Sequence, residues 1–217
     1  MDTKSVCYIV GAGSFDAKSF HPGAKDYIIA ADGGYTHLQN HGFTSHMLLG
    51  DFDSLDEVPH HPNIIRHPAV KDDTDSMLAI KAGLSLGYKS FMIFGALGGR
   101  LDHTLANLQA LSYLVQHQAT AFLIGEGMVI TAIKDKELRF AEEKQGYISV
   151  FCLGEKASGV YLNGFKYPLA NATLTGDIPL GVSNAFTSSL GDISAKQGIL
   201  TVLWFEDDFN PNTVQFI

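Results

Sequence analysis

The chain has 217 residues, 46% hydrophobic and 18% charged, enough to bury a core and intermediate between one large domain and two small ones. Its 15 basic and 23 acidic side chains leave a formal net charge of -8, which repels nucleic-acid phosphates and argues against a general DNA- or RNA-binding role. The two cysteines, Cys7 and Cys152, lie in apolar runs and read as buried free thiols, and no apolar run has signal-peptide or membrane-spanning length, so the expectation is a soluble cytoplasmic protein with no membrane partner.

Strand candidates in the first two-thirds are "VCYIV" (6–10), "YIIAA" (27–31), "HMLLG" (46–50), "SFMIFG" (90–95) and "TAFLIG" (120–125). They are continuous apolar runs, as expected for strands buried on both faces of a parallel sheet. Helices fit between them. "TDSMLAIKAGLSLG" places Met77, Ile80 and Leu84 at helical spacing, with Gly87 set to end it. "DHTLANLQALSYLVQHQ" belongs to a helix whose apolar stripe runs Leu101, Leu105, Leu108, Leu111 and Val115. After about residue 126 the chain turns to short β-like segments split by Gly, Asn and Pro: "MVITAI", "ELRFA", "YISVFCLG", "GVYLNGF", "ATLTG" and "ILTVLWFE". The predicted fold is therefore α/β: an N-terminal doubly wound, mostly parallel sheet with helices on both faces over 1–135, then a small all-β sandwich domain over 136–217.

In open α/β sheets ligands sit beyond the carboxyl ends of the strands, and four strand ends here deliver polar residues. Asp32 ends "YIIAADGG"; Asp51 and Asp53 end "HMLLGDFDS"; Lys71, Asp72, Asp73 and Asp75 lead into a helix; Gly98, Gly99, Arg100, Asp102, His103 and Asn107 follow "SFMIFG". Each has an ordinary alternative. Asp32 suits a turn, Asp73 or Thr74 an N-cap, Asp75 a first helical turn and Asp102 a cap, while His103 and Asn107 suit a solvated helix face. His60, His61 and His67, in a Pro-containing loop without ligand spacing, read as surface residues. Taken together, clustered carboxylates repel one another unless a cation sits among them. Oxygen donors without a Cys/His set favour Mg²⁺ or Mn²⁺, and Lys71 and Arg100 supply charge for a polyphosphate. That points to a Mg-nucleotide site for phosphoryl, diphosphoryl or nucleotidyl transfer. "GAGSFD" fails as a dinucleotide fingerprint because Asp16 takes the third glycine's place, and no P-loop or kinase catalytic-loop set exists.

The stretches "AADGG" (30–34), "LLGDFDSL" (48–55), "KDDTDSMLAI" (71–80), "GALGGRLDHTLANL" (95–108), "GFKYPL" (164–169) and "GVSNAF" (181–186) occur in the order of one family, and the chain resembles thiamine pyrophosphokinase along nearly its whole length. The resemblance implies transfer of diphosphate from ATP to the thiamine hydroxyl, with release of AMP. It implies Asp51, Asp53 and Asp75 as Mg²⁺ ligands, with Asp32 and Asp102 completing the acidic site. It sets Lys71, Asp72, Gly99, Arg100, His103 and Asn107 toward the nucleotide. Tyr167, Ser183 and Asn184 would meet thiamine, Tyr167 as a stacking ring. It also implies a homodimer in which the β domain of one subunit helps complete the other's site. Lys71 stands where some members carry an amide, and the Ser-Asn pair follows "PLGV" in place of a longer Ser/Thr run. Two rivals remain: another Mg-dependent DxD-type glycosyl- or nucleotidyltransferase, and a non-catalytic nucleotide- or thiamine-binding regulator.

Overall fold

The computed structural model describes residues 5–52, 60–67 and 72–217. Two compact units divide between Glu126 and Gly127. Among the described residues the first holds six parallel strands: β1 (Cys7–Val10), β2 (Tyr27–Ala31), β3 (Met47–Gly50), β4 (Ile64–Arg66), β5 (Ser90–Phe94) and β6 (Thr120–Gly125). Their order is β6-β5-β1-β2-β3-β4, parallel at every pairing. The apolar runs are strands because they have no polar face to offer water; β1 and β3 are buried at every residue.

Among the described residues three helices accompany them: α1 (Gly34–Asn40), α2 (Asp75–Ser85) and α3 (Leu101–Gln116). Thr74 is the N-cap of α2, its hydroxyl accepting from the Met77 N–H at 3.2 Å. Asp73, the other cap candidate, instead pairs with Lys81 at 2.6 Å. Gly87 follows the C-cap of α2 at φ 90, as its spacing predicted. The apolar stripe of α3 is corrected. Leu101 is 71% exposed and Leu105 is exposed too, while Asn107, Ala110, Leu111 and Leu114 are buried. The helix is rotated so that a polar residue, Asn107, takes a core-facing position near its start. His61 is also not a plain surface residue. Its ring is half-buried and bonds the carbonyls of Asn63 at 2.9 Å and Ser45 at 3.1 Å.

The second unit is all β apart from a 3-10 turn at Pro211–Thr213, among the described residues. Its strands are β7 (Met128–Ile133), β8 (Glu137–Phe140), β9 (Tyr147–Cys152), β10 (Lys156–Asn163), β11 (Leu169–Thr175), β12 (Gly181–Ala185), β13 (Gly191–Ser194), β14 (Leu200–Phe205) and β15 (Val214–Phe216). They pair antiparallel as β12-β9-β14-β7 and as β11-β10-β13-β8-β15. Trp204 of β14 meets Phe140 of β8 edge-on at 5.2 Å, so aromatic contacts join the two sheets in one core. Trp204 is fully buried there. Cys7 is buried in β1, whereas Cys152, at the end of β9, is only half-buried. No helix among the described residues is long and apolar enough to cross a membrane.

Candidate active site

Register builds one edge of the first unit. Val10 lies beside both Ala30 of β2 and Phe94 of β5, and Ala31 lies beside Leu49 of β3. Parallel strands in this register end together, so Gly11, Asp32, Asp51 and Gly95 all leave the sheet at its carboxyl edge. The strand order places β1 between β2 and β5, and successive strands run outward from β1 in one direction and from β5 in the other. The loops after β1 and β5 flank that switch point.

These two loops are joined by their backbones. Gly11 N–H donates to Phe94 O at 2.8 Å, Gly13 N–H to Gly95 O at 2.9 Å and Ser14 N–H to Leu97 O at 2.9 Å. A Cβ on Gly13 would lie 2.7 Å from the carbonyl oxygens of Gly95 and Leu97, and one on Gly95, at φ 64, would overlap Gly11 O. Glycine is what lets the loops approach this closely. Above the seam lies a cleft of about 320 Å³, within the roughly 300–1,000 Å³ of small-molecule sites. Its floor is Gly11, Ala12, Gly13, Gly95 and Ala96; its wall includes the start of α2 (Thr74, Asp75, Ser76) and the approach to α3 (Gly98, Gly99, Arg100), with His103 and Asn107. Asp32 lines it from the end of β2.

Asp32 adopts φ 47, in the left-handed region, and its N–H donates to Leu49 O at 2.8 Å. The glycines around it allow this crowding: a Cβ on Gly50 would stand 3.1 Å from the Asp32 Cα. Asn107, 6% exposed, donates from Nδ2 to Ala96 O at 2.8 Å and so ties α3 to the cleft floor. Arg100 holds Asp102 through two hydrogen bonds, Nε to Oδ1 at 3.1 Å and a terminal nitrogen to Oδ2 at 2.6 Å. That guanidinium lowers the Asp102 carboxyl to a pKa of about 2, helped by the His103 N–H. A carboxylate held so low is a weak proton acceptor at neutral pH.

In the second unit, Asn184 is 3% exposed and bonds the main chain of Tyr167 on both sides, accepting from its N–H at 2.9 Å and donating to its carbonyl at 2.7 Å. Ser183, at φ 58, occupies a register shift in β12 and is exposed. The Tyr167 ring is 57% exposed, with the Lys166 ammonium 5.3 Å from its centroid.

The structure thus gathers Asp32, Asp75, Gly99, Arg100, His103 and Asn107 in one cleft, and Tyr167 with Asn184 in one cluster. Asp51 follows β3 at the same edge but does not line the cleft, and Asp72 is exposed outside it. Asp53 and Lys71 lie outside the described residues. Among the described residues no three His, Cys, Asp or Glu side chains gather tightly enough to hold a metal ion by themselves. Sequence reasoning missed Gly11, Ala12, Gly13, Thr74 and Ser76. It dismissed "GAGSFD" on the fingerprint alone, although the strand-end rule that singled out the acids applies equally to the residues after β1.

Comparison with known proteins follows the same division. A family model described as thiamin pyrophosphokinase, catalytic domain, matches residues 23–123, and one described as thiamin pyrophosphokinase, vitamin B1 binding domain, matches residues 135–200. The chain is 33% identical over 182 residues to a thiamine pyrophosphokinase of Bacillus subtilis, spanning 81% of this chain and 85% of that one. It is 26% identical over 197 residues to a thiamin pyrophosphokinase of Caenorhabditis elegans, spanning 83% and 80%. The crystal structure of a Bacillus subtilis thiamine pyrophosphokinase is similar with a TM-score of 0.83 at 29% identity, covering 94% of this chain and all of that one.

Proposed function

This chain belongs to the thiamine pyrophosphokinase family, and on that premise we propose that it moves diphosphate from Mg-ATP to the thiamine hydroxyl, with the nucleotide phosphates held in the cleft of the first unit. The observation that carries this assignment of the site is the cleft itself: a glycine floor at the switch point of a parallel sheet, with Asp32, Asp75 and Arg100 on its walls.

In the reaction the hydroxyl oxygen of thiamine bonds to the β-phosphorus of ATP. The bond from that phosphorus to the oxygen bridging it to the α-phosphorus breaks, and AMP leaves with that oxygen. The hydroxyl proton passes to an acceptor at the site. The donor set fits Mg²⁺, which commonly binds through one or two carboxylates plus substrate phosphates and does not need a closed protein cage. Asp32 and Asp75 line the cleft with hard oxygen donors, Asp51 stands at the same sheet edge, and Asp53 is the fourth candidate. Mg²⁺ bound there would screen the phosphates from the attacking oxygen and stabilise charge on the departing AMP. The positive end of the α2 dipole, with Arg100 and His103, orients the phosphates, and Gly99 leaves room for them. Lys71, in the segment before α2 that also carries Asp72, adds charge to the nucleotide. Asp102, too weak a base at neutral pH, holds Arg100. Thiamine meets Tyr167 and Ser183 of the second unit, beside Asn184, with the Tyr167 ring offering a face to the cationic thiazolium.

Two finer points belong to the same reading. The strand order reverses at β1, and right-handed crossovers would then set α1 on one face of the first unit's sheet and α2 and α3 on the other, a doubly wound domain. The working form is a cytoplasmic homodimer whose subunits share their sites. Sedimentation at the mass of two chains supports the dimer; a monomer at working concentration overturns it.

The decisive assay follows AMP and thiamine diphosphate from Mg-ATP with and without thiamine. Equal, thiamine-dependent amounts of both are expected, and Asp75→Asn should lower turnover by the order of 100-fold or more while the protein stays folded. Thiamine-independent AMP, or ADP as the product, would overturn the reaction.

A further inference from the structure

The family resemblance sets Asn184 against thiamine, but its amide is already engaged. Its Oδ1 accepts from two backbone N–H groups, Tyr167 and Ala185, both at 2.9 Å. Those fill the two lone pairs of an amide oxygen. Its Nδ2 donates to the Tyr167 carbonyl at 2.7 Å, which leaves one N–H on a side chain that is 3% exposed.

The local backbone explains why an amide stands here. β12 pairs with β9 at Gly181 and again at Asn184, with a register shift between, where Ser183 adopts φ 58. A left-handed non-glycine residue in a strand costs of the order of 1–2 kcal/mol, and such bulges re-aim side chains. On its other side, β12 approaches the 164–168 segment. Phe165 bridges Phe186, and Lys166 N–H donates to Ala185 O at 2.9 Å. At Tyr167 the neighbouring backbone no longer supplies partners, and the Asn184 carboxamide takes that place with one donor and one acceptor. Gly164, at φ 75, is held by Thr187 Oγ1 at 2.7 Å. The backbone of the segment is therefore fixed at both ends while the Tyr167 ring stays exposed.

We propose that Asn184 is a positioning residue for the thiamine step, which acts by clamping the Tyr167 main chain and makes no contact of its own with thiamine. The proposal rests on the assignment of Tyr167 to the thiamine site. A direct ligand and a clamp make opposite forecasts for a double-mutant cycle.

The experiment measures KM for thiamine, KM for ATP and kcat in Tyr167→Ala, Asn184→Ala and the double variant. Each single change should raise KM for thiamine about tenfold with KM for ATP and kcat unmoved, and the double variant should be no worse than Tyr167→Ala alone. A purely structural role would instead lower kcat through loss of active protein. If Asn184→Ala does not fold, the isosteric Asn184→Asp, which keeps both acceptor bonds and replaces the donor to the Tyr167 carbonyl with a carboxylate oxygen that repels it, takes its place in the cycle. A double variant near 100-fold, the product of the singles, would overturn the clamp and leave the Tyr167 assignment standing. A Tyr167→Ala protein with an unchanged KM for thiamine would overturn both, while the AMP assay on the unaltered chain still tests the reaction.

Discussion

Asp102 carries both its oxygens on the Arg100 guanidinium, and that pair decides how it titrates. Its carboxyl should titrate near 2 by NMR, and Arg100→Ala should return it toward the ordinary ~3.9. The sign is that of a lowered carboxyl: the pairing favours the folded state above about 3.9 and is lost as pH falls toward 2. Both side chains are well exposed, so solvent screening keeps the effect on stability small. An ordinary titration in the unaltered protein would dismiss the pair. At this scale the sequence was legible in its charges and less so in its neutral polar residues. Asp32, Asp75 and Arg100 could be collected because acids and bases after strand ends need a reason to be there. The clamp made by Asn184 could not, because nothing in "GVSNAF" says which atoms a buried amide will meet.

The loops after β1 and β5 behave as one element because three backbone hydrogen bonds join them. Gly95→Ala would drive a methyl into the Gly11 carbonyl at a positive φ. A cost of about 3 kcal/mol is expected, from overpacking and backbone strain together. Gly87→Ala, also at positive φ but with open space around it, should cost only about 1 kcal/mol. Urea midpoints compare the two, and equal losses would mean that the seam is not tight. The elements themselves were largely readable. Five strands of the first unit announce themselves as apolar runs, and Gly87 marks a helix end. What failed was orientation: Leu101 and Leu105 fit a helical stripe, yet the packed face of α3 runs through Asn107, Ala110, Leu111 and Leu114. Hydrophobic spacing finds a helix, but tertiary contacts choose its rotation. The short strands β4, β13 and β15 give no periodic signal, and their pairing is set by neighbours far away in sequence.

For the whole molecule, two units with separate candidate ligands imply separate footprints. In amide hydrogen exchange, Mg-ATP should slow residues 11–14, 74–78 and 95–100, whereas thiamine should slow 164–168 and 181–185. Protection by Mg-ATP confined to residues 127–217 would count against the cleft as the nucleotide site. The change of class after about residue 126 was visible as a shift from apolar runs alternating with helical patterns to short β-like segments split by Gly, Asn and Pro. The aromatic contacts that join the β unit's two sheets were not visible, since Trp204 and Phe140 lie 64 positions apart.

That tryptophan is the chain's single one. It is fully buried in the β unit, its indole N–H on the Glu206 carboxylate at 2.6 Å, while every α-helix among the described residues lies in the other unit. The unlabelled protein therefore carries two optical reporters that do not overlap. Tryptophan emission follows the loosening of the β unit, and helical circular dichroism at 222 nm follows the α/β unit. Coincident melting curves would mark one cooperative transition, and curves that part would give each unit a stability of its own.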